Sequence, residues 1–244
     1  MQHDLFLTQF RDPSVSAEPS RYADAWRVGD WTTDSGARSG DYATGLASSR
    51  FPYAALGGRS IVVPPPATND ALASNRAYEP NGLDDRQFAA LISPACRSAF
   101  GMTYASAGAL YSVHIYALRP TCDDAELWYA QTEDARLLLI DKVGAAEVGN
   151  ALIEQWAWPT GVLIALVLDL RRVTDKYGHR GIRFATLEAG ELTQLLRERA
   201  HKMGLISCAL GGFADADVLR LLRLSPDWYG VAIMIGVGQG RANA

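Results

Sequence analysis

Cysteine is scarce in this chain. Cys96, Cys122 and Cys208 stand far apart and form no CxxC pair, which excludes a disulfide framework and a cysteine-based zinc site as organising features. Histidine is scarce too, and His3, His114, His179 and His201 show no metal-ligand spacing. Basic charge is in deficit, with 23 Lys and Arg against 27 Asp and Glu and a net charge of -4. No basic stripe is present to neutralise phosphates, so sequence-independent nucleic-acid binding is excluded. Long hydrophobic runs are missing as well: the longest uncharged apolar stretch, Gly161 to Leu168, falls far short of the roughly 20 residues a membrane-spanning helix needs. Met1 to Phe10 carries Asp4 and no basic-then-apolar signal pattern, so a cytoplasmic protein without a membrane partner is expected.

What the sequence does hold is the composition of a folded protein, 48% hydrophobic and 20% charged over 244 residues. Residues 1–66 are rich in Ser, Gly, Asp, Arg and aromatics, Trp26, Trp31, Phe51 and Tyr53 among them, without a sustained period. They read as an arm ending in the stiff Pro64-Pro65-Pro66 linker, and residues 67–244 as the main domain. Within that domain Phe88, Leu91 and Ile92 recur at helical spacing after Asp84 and Asp85. Strands are expected over 113–118, 126–131 and 136–140, the last two as a hairpin turning at Glu133 and Asp134. A helix follows over 145–156. The apolar run 161–170 reads as a central strand buried on both faces. The clearest helix spans 182–203 and stops at Gly204; then come 205–208, the Gly211-Gly212 turn, a short helix from Asp215 to Leu224 and a strand over 229–237. Strands interleaved with helices in this order predict an α+β fold with a mostly antiparallel sheet flanked by long helices.

Four local patterns in fixed order carry chemistry. They are Ser74-Asn75-Arg76-Ala77-Tyr78; Ala105-Ser106-Ala107-Gly108-Ala109-Leu110-Tyr111; Lys176-Tyr177-Gly178-His179-Arg180-Gly181 leading to Glu188-Ala189-Gly190; and Gly204 followed by Ala209-Leu210-Gly211-Gly212-Phe213. Together they resemble the nitroreductase superfamily, and within it the SagB-type dehydrogenases that oxidise peptide-borne thiazolines and oxazolines to azoles. The resemblance covers roughly residues 70 to 238. It implies a homodimer with FMN at the subunit interface, and it assigns the flavin contacts to Ser74, Arg76, Ser106, Ala107, Gly108, Leu210, Gly211 and Gly212. A guanidinium near the ring's pyrimidine end would offset the charge that develops there on reduction. The residue matching Gly211 directs its backbone N–H toward flavin N5. The chain departs from the family immediately before Ser74, where phosphate-binding arginines are usual and Leu72 and Ala73 stand instead; Arg241 or Arg119 are the candidates to replace them.

The Lys176-Tyr177 pair matches the pair implicated in azoline oxidation and is generally lacking in ordinary nitroreductases. Aromatising an azoline removes a ring proton and a hydride, so a base is required beside the hydride acceptor. Lysine is protonated in water near neutrality, and a base role asks for desolvation or for neighbouring cations such as Arg180 and Arg183. Tyr177 can instead relay the proton or hold the ring, and the choice of base between Lys176 and Tyr177 stays open. The expected partners are a second copy of the chain, an azoline-containing precursor peptide or carrier-bound peptide, and a cyclodehydratase that makes the azoline. Two other readings stay open. One is an NAD(P)H-dependent nitroreductase, which uses no GxGxxG site, so the lack of that motif does not separate the two. The other is a non-catalytic scaffold subunit of a peptide-modifying complex.

Overall fold

The computed structural model describes residues 72–79 and 82–241. The arm and linker read at 1–66, and the proposed domain start at 67, lie outside the described residues.

The first helix, α1 (Asp85–Ile92), begins where Asp84 and Gln87 satisfy each other's backbone: Gln87 N donates to Asp84 Oδ1 at 2.7 Å, and Asp84 N to Gln87 Oε1 at 3.2 Å. That reciprocal cap fixes the start of the helix and turns Phe88, Leu91 and Ile92 inward. Strands β1 (Val113–Pro120), β2 (Asp124–Gln131) and β3 (Arg136–Gly144) form a meander, and β3 runs four residues beyond the expected Ile140. Helix α2 (Ala145–Ala151) is shorter than the spacing predicts, and Gln155–Ala157 forms a separate 3-10 turn. The central strand β4 (Val162–Asp169) is buried along nearly its whole length, as its unbroken apolar run requires.

Three further helices and two strands complete the fold. A helix that the sequence reading missed, α3 (Leu170–Tyr177), follows β4 directly, and α4 (Arg180–Lys202) starts three residues on. Strand β5 (Ile206–Leu210), helix α5 (Asp215–Leu221) and strand β6 (Tyr229–Gly238) follow. The sheet order is β3-β2-β1-β4-β6-β5, with every neighbouring pair antiparallel. Alternation along β4 then divides the interior in two. Val162, Ile164, Leu166 and Leu168 face α1 and α4 on one side; Leu163, Ala165 and Val167 face α2 and α5 on the other. The fold is thus the α+β architecture expected, six antiparallel strands with helices on both faces.

Candidate active site

The second and third sequence patterns meet in space. Ser106 leads into a 3-10 turn, Ala107–Ala109, just ahead of β1, while Lys176 and Tyr177 occupy the last positions of α3. Gly108 lies between them. Its carbonyl accepts from Lys176 Nζ at 3.3 Å, and a Cβ built on it would overlap both Tyr177 Oη and Lys176 Nζ. With φ at +60°, only glycine satisfies the backbone and the close approach together. Lys176 Nζ also sits 5.4 Å from the Tyr177 ring, and that ring packs edge-on to Phe184 at 5.2 Å. Lys176 and Tyr177 are each half-buried. The expected strand over 161–170 and helix over 182–203 left them between elements; they close a short helix whose amino end is capped by Asp169, which accepts from Arg172 N at 2.9 Å. Gly181 lets the two helices meet, since a Cβ there would run into the backbone of Val173.

Beneath this group lies Glu188, 3% exposed in the middle of α4. It accepts from Ser106 Oγ at 2.6 Å, Ser112 Oγ at 3.2 Å and Val113 N at 3.0 Å. The glutamate anchors the Ser106–Gly108 turn.

The first and fourth patterns form a second group. Asn75 N donates to Ser207 O on β5 at 3.2 Å, and Tyr78 bridges to Gly240, its hydroxyl donating to Gly236 O at 3.1 Å. Burial pushes the Tyr78 phenol far above its usual range, followed by the influence of Cys208. These ties press the segment onto the sheet edge and leave Ser74 and Arg76 exposed. Arg241 joins the same segment, its N donating to Ala77 O at 3.0 Å and its Nε to Tyr78 O at 2.9 Å. Arg76 lies over the Trp156 ring, 4.9 Å from its centre. Trp156 Nε1 donates to Glu154, and Glu154 packs against Gly212. Leu210 is buried at the end of β5, whereas Gly211 is exposed with nothing within 4 Å of where a Cβ would sit. Arg119, the other candidate for a missing arginine, is committed elsewhere: it pairs with Asp85 at 2.8 Å, donates to Leu83 O and packs on Phe88 and Trp128.

Trp156, Glu154 and Arg197 were not singled out in the sequence. Arg197 donates to Leu72 O at 3.0 Å and to Ala73 O, bracing the two residues that stand where the family carries arginines. A lone arginine on the polar side of a long helix carries no sequence signal for that task.

Apart from the start of the first pattern, where Arg197 of α4 holds Leu72 and Ala73, the two groups stand on opposite faces of the sheet. Gly108, Lys176 and Tyr177 lie on the α4 side, whereas Trp156 and Phe213 pack into the α2 and α5 side. Along β4 only the Asn75–Ser207 tie lies at the far end; Leu210 pairs with Met234, the partner of Ala165, so Gly211 and Gly212 run on toward the Leu168 end. Val113 pairs with Leu168, while Val237, the partner of Ser207, pairs with Val162, a separation of about 20 Å at ~3.3 Å per residue. A cavity of about 410 Å³ between α2 and α5, lined by Glu147, Asp217, Arg220 and Arg223 among others, holds none of the motif residues. Among the described residues no cluster of His, Cys, Asp or Glu is arranged to hold a metal ion, and no helix is long and apolar enough to cross a membrane.

Fold and motif geometry define a class: the chain belongs to the nitroreductase family, whose model matches residues 73–239. Particular relatives sharpen the comparison. A protein of Methanocaldococcus jannaschii named as a nitroreductase is 26% identical over 126 residues, 50% of this chain and 64% of that protein. The chain thus spans less than two thirds of that relative's length. Among solved structures, a chain of the Escherichia coli microcin synthetase McbBCD complex with truncated pro-MccB17 bound superposes with a TM-score of 0.68 at 16% identity, covering 97% of each chain. A Desulfovibrio desulfuricans chain described as a nitroreductase in complex with FMN superposes with a TM-score of 0.50 at 15% identity, covering 71% of this chain and 86% of that one. These likenesses establish the shared fold.

Proposed function

We propose that this protein is an FMN-dependent dehydrogenase that oxidises peptide-borne thiazolines or oxazolines to azoles, working as a homodimer. The observation that carries this reading is the convergence of Gly108 with Lys176 and Tyr177, which gives the pair a built setting at the end of α3. A solvated surface lysine would have no such setting. Support for the substrate class comes from the microcin synthetase complex, described with a peptide bound and alike in fold over 97% of the chain.

The residues present fit FMN. Exposed Gly211 leaves open space where a flat ring needs it, and Leu210 and Gly212 set its position against Glu154. Ser74 and Arg76 stand exposed on one segment, suited to the pyrimidine end of the ring, and Arg241, hydrogen-bonded to that segment, is the cation suited to the phosphate ester. Ser106, Ala107 and Gly108 lie on the other face, so they would meet that ring from a second copy of the chain. When bound, FMN supplies a two-electron acceptor for hydride. The Lys176-Tyr177 pair takes the ring proton of the azoline as the neighbouring carbon gives up hydride, which balances a loss of two electrons and two protons. Molecular oxygen is the terminal acceptor. Edge-on packing against Phe184 orients Tyr177, and the Gly108 carbonyl fixes Lys176 Nζ, so both are placed before substrate arrives.

An absorption spectrum of the FMN-loaded protein under anaerobic conditions tests this. Addition of an azoline-containing peptide is expected to bleach the flavin band, with azole found by mass spectrometry, while NADPH leaves the band unchanged. Bleaching by NADPH alone would replace the reading with a nicotinamide-dependent reductase. A protein that binds no FMN would point to a scaffold.

A further inference from the structure

Glu188 is the only fully buried acidic or basic side chain among the described residues. No cation pairs with it there; three donors hold it, the Ser106 and Ser112 hydroxyls on Oε2 and Val113 N–H on Oε1. Burying a carboxylate this way is costly unless each donor is aimed, so the arrangement fixes those donors as firmly as they fix it. The loop it grips is unusual. Gly108, Ala109 and Tyr111 all have positive φ, at 60°, 54° and 48°, conformations that residues with side chains keep only when their surroundings impose them. Ser106 is the fastener: its Oγ accepts from Tyr111 N at 2.8 Å and donates to Glu188 at 2.6 Å. Ala105 N donates to Glu191, three residues along α4, at 2.9 Å. Held so, the loop presents the Gly108 carbonyl to Lys176 Nζ.

We infer that Glu188 is a positioning residue for the Lys176-Tyr177 pair. Its carboxylate sets the loop from Ser106 to Val113, the loop sets the Gly108 carbonyl, and the carbonyl sets Lys176 Nζ; Glu188 itself touches no reacting atom. Its functional meaning rests on the catalytic reading of that pair. Glu188→Gln keeps the volume but turns an NH2 donor toward two hydroxyls and removes the acceptor for their protons.

The test uses the full chain loaded with FMN. The sequence has only three lysines, Lys142, Lys176 and Lys202, so acylation of each by an amine-reactive ester is separable by peptide mass spectrometry. Lys142 and Lys202 are exposed and serve as internal references. In Glu188→Gln, Lys176 labelling relative to the references is expected to rise about fivefold, the equivalent of one lost hydrogen bond. With azoline peptide, kcat is expected to fall about tenfold while KM stays within about twofold, and Glu188→Gln placed on Lys176→Ala is expected to change nothing further. Unchanged Lys176 labelling in a folded Glu188→Gln protein would overturn the inference. If that variant does not fold, Ser106→Ala removes one link of the same chain and is read by the same labelling, with the same overturning result. A labelling response in a protein whose wild type oxidises no azoline keeps the positioning role and removes the dehydrogenase reading.

Discussion

Gly108 concentrates the residue-scale argument, because one position meets two independent demands, a left-handed backbone and no room for a methyl group. Gly108→Ala is expected to destabilise the fold by about 1 kcal/mol or more from the backbone alone. It should also displace Lys176 and Tyr177, lower azole formation at least as far as Lys176→Ala does, and weaken FMN retention, whereas Lys176→Ala keeps its FMN. Wild-type turnover in either variant would remove the pair from the mechanism; steady-state azole production with flavin content read from the spectrum decides it. The motif residues themselves were legible in the sequence, but their partners were not. Trp156 under Arg76, Glu154 against Gly212 and Glu188 under Ser106 are joined by contacts across 80, 58 and 82 positions, shown by the numbering of the pairs that touch. A single sequence has no signal for pairings of that kind when the residue types are common.

At the scale of elements, α3 shows why a short amphipathic helix escapes periodicity. Leu170 continues the apolar run of β4, and the rest of the helix offers only Val173 as a buried apolar residue before Lys176 and Tyr177, so the strand reading absorbed its start. Asp169 supplies the missing signal as its N-cap, and it also lies 3.7 Å from His114 Nε2. Burial alone would raise the Asp169 carboxyl, but the His114 contact and the Arg172 N–H outweigh it and hold the group below its usual range. A depressed carboxylate contributes stability that is complete above the unfolded value near pH 4 and is lost as pH falls through the lower folded value. Asp169→Ala is therefore expected to cost about 1 kcal/mol at neutral pH. Asp169→Asn should keep most of the cap and lose the acid-side slope. Urea unfolding of the three proteins from neutral pH down to about pH 3 checks this, and an unaltered slope in Asp169→Asn would contradict it. The long elements needed no such help: α4 and β4 were placed to within two residues at each end by periodicity and by apolar continuity.

At the scale of the whole molecule, the sheet separates what the proposed chemistry must join. Arg76 on Trp156 and Gly212 against Glu154 stand on the α2 side of the sheet, while Gly108, Lys176 and Tyr177 stand on the α4 side. A single copy keeps them apart, and in the proposed homodimer a symmetric pair of copies can bring the proposed flavin side of one against the proposed catalytic pair of the other. The central claim is thus one site shared between two chains. Its most direct measurement mixes two variants, Arg76→Ala, which removes a proposed flavin contact, and Lys176→Ala, which removes the lysine of the proposed proton-accepting pair, under conditions that exchange subunits. Each mixed dimer then carries one site built only from intact halves, so azole formation is expected to recover to about one quarter of wild type on random pairing. No recovery from subunits shown by mass to have exchanged would contradict the account.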